Sequence, residues 1–132
     1  MNLEDRVIKL EDEVFKDKVL TIKEAEEKCY EVFSYPNGDY EYEDNNNIQH
    51  LLRNDKELCH GIYVFSYPNG DYSYQDNNYI EHLIRDGKEL FKGKSVFSYP
   101  NGDYHYLDNN YIEHRCRIIN NEVWEMKSWL NE

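Results

Sequence analysis

The sequence predicts a mainly β fold, an antiparallel meander of β-hairpins built from three 32-residue repeats, with a helical segment ahead of them (α+β overall). Two observations predict it. The nonapeptide Val-Phe-Ser-Tyr-Pro-Asn-Gly-Asp-Tyr occurs unaltered at Val32–Tyr40, Val64–Tyr72 and Val96–Tyr104, 32 residues apart each time, and self-similarity at a fixed period marks a repeat architecture. In every copy Asn-Gly sits between alternating aromatic residues, the strongest short-range signal for a hairpin. The chain divides accordingly into a helical segment at 1–31 and a repeat domain at 32–132, made of units 32–63, 64–95 and 96–132.

The segment ahead of the repeats carries Leu3, Val7, Leu10 and Val14 at 4-3-4 spacing among charged residues. That is the apolar stripe of an amphipathic helix over 3–15, fit to cap the sheet, and two such heptads are a weak coiled-coil signal. Thr21 followed by Glu24 fits a capping box, so a second short helix is expected over 22–29.

In the repeats, a two-residue type I′ turn at Asn37-Gly38, Asn69-Gly70 and Asn101-Gly102 would set Tyr35 against Tyr40 and Phe33 against Tyr42. The other copies would pair Tyr67 with Tyr72, Phe65 with Tyr74, Tyr99 with Tyr104 and Phe97 with Tyr106. This register puts all twelve aromatics on one face and leaves Ser34, Ser66 and Ser98 on a solvated one. After Asp44, Asp76 and Asp108 an Asn-rich turn leads into Ile48–Leu52, Ile80–Ile84 and Ile112–Cys116. These stretches read either as short capped helices or as strands. The third copy leans to strands, because its β-branched residues and tryptophan alternate around Asn120-Asn121. Sequence drift after His114 marks Arg115 onward as a capping unit. Gly61 and Gly93 precede the hairpins where side-chain parity has to change, which suits a bulge or bend as well as a plain loop.

Asp86–Tyr104, DGKELFKGKSVFSYPNGDY, resembles the MORN-type repeat family, whose units join a DGK turn to a glycine-containing strand and a YPNGD turn. The period here is longer, and Tyr42, Tyr74 and Tyr106 stand where that family has a glycine. The resemblance covers about residues 32–119. It implies rows of β-hairpins that serve as scaffolds or dimerisation modules and bind proteins or lipids without catalysis, with Tyr35, Gly38, Tyr67, Gly70, Tyr99 and Gly102 as structural positions.

A net charge of −12 disfavours direct contact with nucleic acid or an anionic membrane and makes a basic protein the natural complement. The charge is spread as −4, −4, −1 and −3 over residues 1–31, 32–63, 64–95 and 96–132. Three cysteines without CxxC spacing, and no apolar leader at the start, lead to the expectation of a reducing cytoplasm.

No phosphate loop, nucleophile elbow, HExxH helix or calcium loop occurs, so neither an enzyme nor a cofactor or metal is expected. His50, His82 and His114 recur once per repeat, about 10–15 Å apart if successive copies are neighbours, too far to share an ion. Cys59-His60 reads as an isolated pair.

What remains is tyrosine beside carboxylate, a surface suited to lysine and arginine. The candidate partner-binding residues are Asp39, Tyr40, Glu41, Tyr42, Glu43, Asp44, Asp71, Tyr72, Asp103 and Tyr104. The corresponding function is that of an acidic repeat protein that binds a basic nucleic-acid-handling protein, a nuclease or CRISPR effector. It would act as an inhibitor that mimics nucleic acid, in the manner of anti-CRISPR and immunity proteins from bacteria or phage. The alternative is a MORN-like scaffold, a homodimer included.

Overall fold

A computed structural model describes residues 20–126. The helix expected over 3–15 lies outside the described residues. The second expected helix is present as α1, Ile22–Glu27. Thr21 Oγ1 accepts from the Glu24 amide and Glu24 Oε1 accepts from the Thr21 amide, both at 3.2 Å, which is the reciprocal capping box. Cys29 at φ 61° ends the helical turn.

Among the described residues, twelve strands follow in three four-stranded antiparallel meanders. The first contains β1 (Val32–Ser34), β2 (Tyr40–Glu43), β3 (Gln49–Arg53) and β4 (Lys56–Gly61). The second contains β5 (Tyr63–Ser66), β6 (Tyr72–Gln75), β7 (Glu81–Arg85) and β8 (Lys88–Gly93). The third contains β9 (Ser95–Ser98), β10 (Tyr104–Leu107), β11 (Glu113–Ile119) and β12 (Glu122–Glu125). The stretches after each Asp-Asn-Asn are therefore strands, and each 32-residue unit is one sheet.

The first turn of every repeat differs from the type I′ expectation. Gly38 donates to Tyr35 O at 3.0 Å and Tyr35 to Asp39 O at 2.8 Å. Gly38 is left-handed at φ 96°, whereas Asn37 is not among the residues of positive φ. This is a three-residue loop, a type I turn closed by a glycine bulge. Pro36 is the cause: in a two-residue Asn-Gly loop it would flank the turn and its missing N–H could not donate to Asp39 O, whereas its φ near −65° suits the first central position of a type I turn.

The extra residue shifts the register by one. Phe33 faces Glu41 and Ser34 faces Tyr40, with Phe65/Ser73, Ser66/Tyr72, Phe97/His105 and Ser98/Tyr104 in the other sheets. The aromatics are consequently divided between two faces instead of gathered on one. Ser66 and Ser98 lie buried beside Tyr72 and Tyr104, not in solvent. Type I′ geometry occurs at the opposite end of each sheet, at Asn54-Asp55, Asp86-Gly87 and Asn120-Asn121, where both residues are left-handed.

Gly61 and Gly93 sit at the corners between sheets. A Cβ on Gly61 would stand 2.2 Å from Gln75 O, and one on Gly93 2.5 Å from Leu107 O. Ile62 and Lys94 donate to those same carbonyls, so glycine is needed there for close backbone approach. The register breaks lie elsewhere, opposite Leu51/Leu52 and Leu83/Ile84.

Three apolar cores join the parts in series. Leu20 and Ala25 cover Tyr40, Tyr42 and Leu52 of the first sheet. Leu51 and Cys59 on its other face pack with Val64, Tyr72 and Ile84 of the second. Tyr67 and Leu83 then pack with Val96, Tyr104 and Cys116 of the third. Along the first hairpins, Phe33, Tyr35, Phe65, Tyr67, Phe97 and Tyr99 form an unbroken chain of edge contacts, with centroids 4.7–5.6 Å apart.

Candidate functional site

The residue after each Asn-Gly is an aspartate, and the fold encloses it. Asp39, Asp71 and Asp103 are at most 4% exposed. Each is held by the arginine 14 positions later, brought opposite by the meander. Arg53 grips Asp39 through Nε and Nη2, both at 2.8 Å, Arg85 grips Asp71 at 2.7–3.1 Å, and Arg117 grips Asp103 at 2.7 and 2.9 Å. Burial would raise the Asp39 carboxyl, but Arg53 and Ser66 outweigh it and hold it below the usual carboxylate range. The Arg117 fork does the same for Asp103.

These clamps also carry the link to the next repeat. Ser66 Oγ donates to Asp39 at 2.6 Å, Asn37 donates to Ser66 Oγ at 2.8 Å and to Tyr67 O at 3.1 Å, and Arg53 donates to Gly70 O at 3.0 Å. The second repeat reproduces the set with Ser98, Asn69, Tyr99 O and Gly102 O. The spacing of 32 residues, which suggested a row of carboxylates offered to a partner, is thus used to lock one sheet to the next.

Of the remaining candidates, Tyr40, Tyr42, Tyr72 and Tyr104 are buried in the cores. Tyr40 donates its hydroxyl to Asp55 at 2.6 Å. Glu41 is half-buried and accepts from Tyr35 at 3.0 Å, and burial pushes its carboxyl upward. Asp44 is half-buried: Oδ1 accepts from Asn46 and Ile48 amides, and Oδ2 lies 2.8 Å from His50 Nε2. Only Glu43 of the ten is exposed.

The per-repeat histidines share one arrangement. His82 Nε2 lies 2.8 Å from Asp76 and His114 Nε2 2.7 Å from Asp108, each with a glutamate, Glu89 or Glu125, at Nδ1. Each ring stacks on a tyrosine, Tyr42, Tyr74 or Tyr106. His60 is not isolated: it pairs across the strands with His50 and contacts Glu57.

Two side chains that sequence reasoning passed over stand out. Tyr79 and Tyr111 are 67% and 70% exposed, and both are left-handed, at φ 63° and 62°. Asn47 fills the same place in the first repeat. The signal was in the alignment of the repeats, where Asn gives way to Tyr at the last position of a turn. Among the described residues, no helix is long and apolar enough to cross a membrane. No protein-family model matches the chain, and no curated protein sequence matches it.

Proposed function

We propose that this chain is a non-catalytic, cytoplasmic, acidic repeat protein that captures a basic nucleic-acid-handling protein, such as a nuclease or CRISPR effector, and inhibits it by standing in for nucleic acid. The observation that supports this reading is where the charge resides. Asp39, Asp71 and Asp103 are cancelled by Arg53, Arg85 and Arg117, so the whole of the −12 belongs to other groups. Glu26, Glu27, Glu31, Glu43, Asp86, Glu113 and Glu122 are exposed among them. A rigid scaffold with carboxylates outward steers and holds a cationic groove.

Tyr79 and Tyr111 support protein binding as well. Left-handed φ costs a tyrosine about 1 kcal/mol or more relative to a residue that tolerates it. An exposed aromatic kept at that cost is the type of side chain that anchors interfaces. Tyr79→Asn is therefore expected to raise the urea midpoint while weakening partner binding. A lower midpoint, or unchanged binding to the identified partner, would count against this role.

The main test is affinity capture from the native host, followed by binding measured against salt and competing DNA or RNA. Association should slow steeply above physiological ionic strength, where screening falls below about 8 Å, and nucleic acid should compete. Charge reversal at Glu31 and Glu43 should weaken capture without unfolding the chain. Salt-insensitive binding without nucleic-acid competition would favour the second reading, a MORN-like scaffold or dimerisation module. That reading draws on the apolar side chains of the third sheet, where Phe97, Val123 and Trp124 are 42–59% exposed.

A further inference from the structure

On the first sheet, three side chains with metal-ligating atoms converge in a way the repeat plan does not require. Antiparallel pairing sets His50 directly across from His60. With strict alternation Glu57, three positions before His60, would point to the other face. The bulge prevents this. Leu51 pairs with Cys59 and Leu52 with Glu57, so Leu58 is the extra residue and Glu57 returns to the face of both histidines.

The result is two imidazoles and one carboxylate whose ligand atoms all lie within 4.8 Å of one another. His50 Nδ1 is 3.4 Å from Glu57 Oε2. That is about the ligand-to-ligand edge of a tetrahedron with metal bonds of roughly 2.1 Å.

We propose that His50, Glu57 and His60 form a binding site for a divalent transition metal of the zinc class. The nitrogen and oxygen donor set suits such an ion better than magnesium or calcium, which take oxygen alone. Asp44 is the outer partner. Its Oδ1 is pinned by two backbone amides, and its Oδ2 engages His50 Nε2 at 2.8 Å, which turns His50 Nδ1 toward Glu57. The His60 side chain is 54% exposed. Three protein ligands on a half-open site leave a position for water or for a donor group from another molecule.

The second repeat supplies the comparison. Position 60 corresponds to Lys92 in the second unit, which faces His82 as His60 faces His50. The second unit keeps His82, Glu89, the bulge and the Asp76 partner, and lacks only the second imidazole. The same sheet therefore forms without a third ligand, and the site is separable both from folding and from the protein-binding reading above.

Zinc chloride titrated into the full chain by calorimetry should show one ion per chain, and cobalt(II) should give the visible absorption of a four-coordinate site. His60→Lys, which copies the second repeat, should abolish binding and leave the circular dichroism unchanged. Asp44→Asn should weaken it about tenfold to a hundredfold. Lys92→His should raise the stoichiometry to two, a gain that misfolding cannot produce. Absence of zinc binding by the wild type, or one equivalent retained in His60→Lys, would overturn the assignment, the latter by placing the ion elsewhere, for instance on a cysteine.

Discussion

At the scale of the residue, the arginine–aspartate clamps bear the largest single consequences. Asp71 is buried, and its charge is tolerated because the Arg85 fork and Ser98 satisfy it. Arg85→Ala would leave that carboxylate unpaired and should cost about 3 kcal/mol, the low end for a buried pair because Arg85 keeps some contact with water. Arg117→Ala should cost less, since Arg117 is nearly half exposed and Arg115 also reaches Asp103, at 3.3 Å. Urea midpoints of the two variants check the order. His114 offers a pH test. Asp108, then Glu125, raise its folded pKa above the ordinary histidine value. A group raised in the folded state contributes stability that is complete below the unfolded pKa, about 6.5, and is lost as pH rises through the folded value. Melting temperature should therefore fall less between pH 6 and 8 in His114→Asn than in the wild type. Parallel curves for the two proteins would contradict the coupling.

At the scale of the element, the first turn of each repeat decides the register of its hairpin. Gly70 is left-handed at φ 95° with open space where a Cβ would go, so a substitution there is strained by backbone conformation and not by crowding. Gly70→Val should cost at least about 1 kcal/mol. Gly87, inside a type I′ turn at φ 76°, should respond in the same sense. Asn69 separates the two geometries. Its backbone is not left-handed, and its side chain donates to Ser98 Oγ and Tyr99 O. Asn69→Gly should destabilise through those lost bonds, whereas in a type I′ turn glycine at that place would be neutral or favourable. An increased denaturation midpoint for Asn69→Gly would reject the three-residue loop. The capping box of α1 and the glycine corners at Gly61 and Gly93 are likewise local devices, each tied to one or two contacts.

At the scale of the whole molecule, the repeats are joined by apolar cores and by the clamp network, so no sheet is independent of its neighbour. Because the second sheet forms the same bulged strand pair with Lys92 in place of a ligand, the fold should not depend on a bound ion. Dialysis against chelator is expected to leave the melting transition in place, with added zinc raising its temperature through binding to the native state alone. Collapse of the transition in chelator would show the metal to be structural. The three-unit plan, the β class, the short capped helix and the Asp-Gly and Asn-Asn turns were legible in the chain, because periodicity, turn chemistry and caps are local properties; strand against helix after Asp-Asn-Asn stayed open, with only the third copy leaning to strands. Location and partnership were not. Asp39 looks the same in sequence whether it faces solvent or an arginine, and only the meander brings Arg53 across to it and Ser66 of the next unit against it. Pro36 adds one residue to a turn, and that one residue reverses the face of every aromatic on the following strand. His50 and His60 belong to different strands, and Glu57 joins them through a bulge that alternation alone does not announce. The sequence by itself determined what repeats and where the chain turns, whereas the tertiary structure decided which side chains are buried, paired and brought together, since those depend on contacts between residues far apart along the chain.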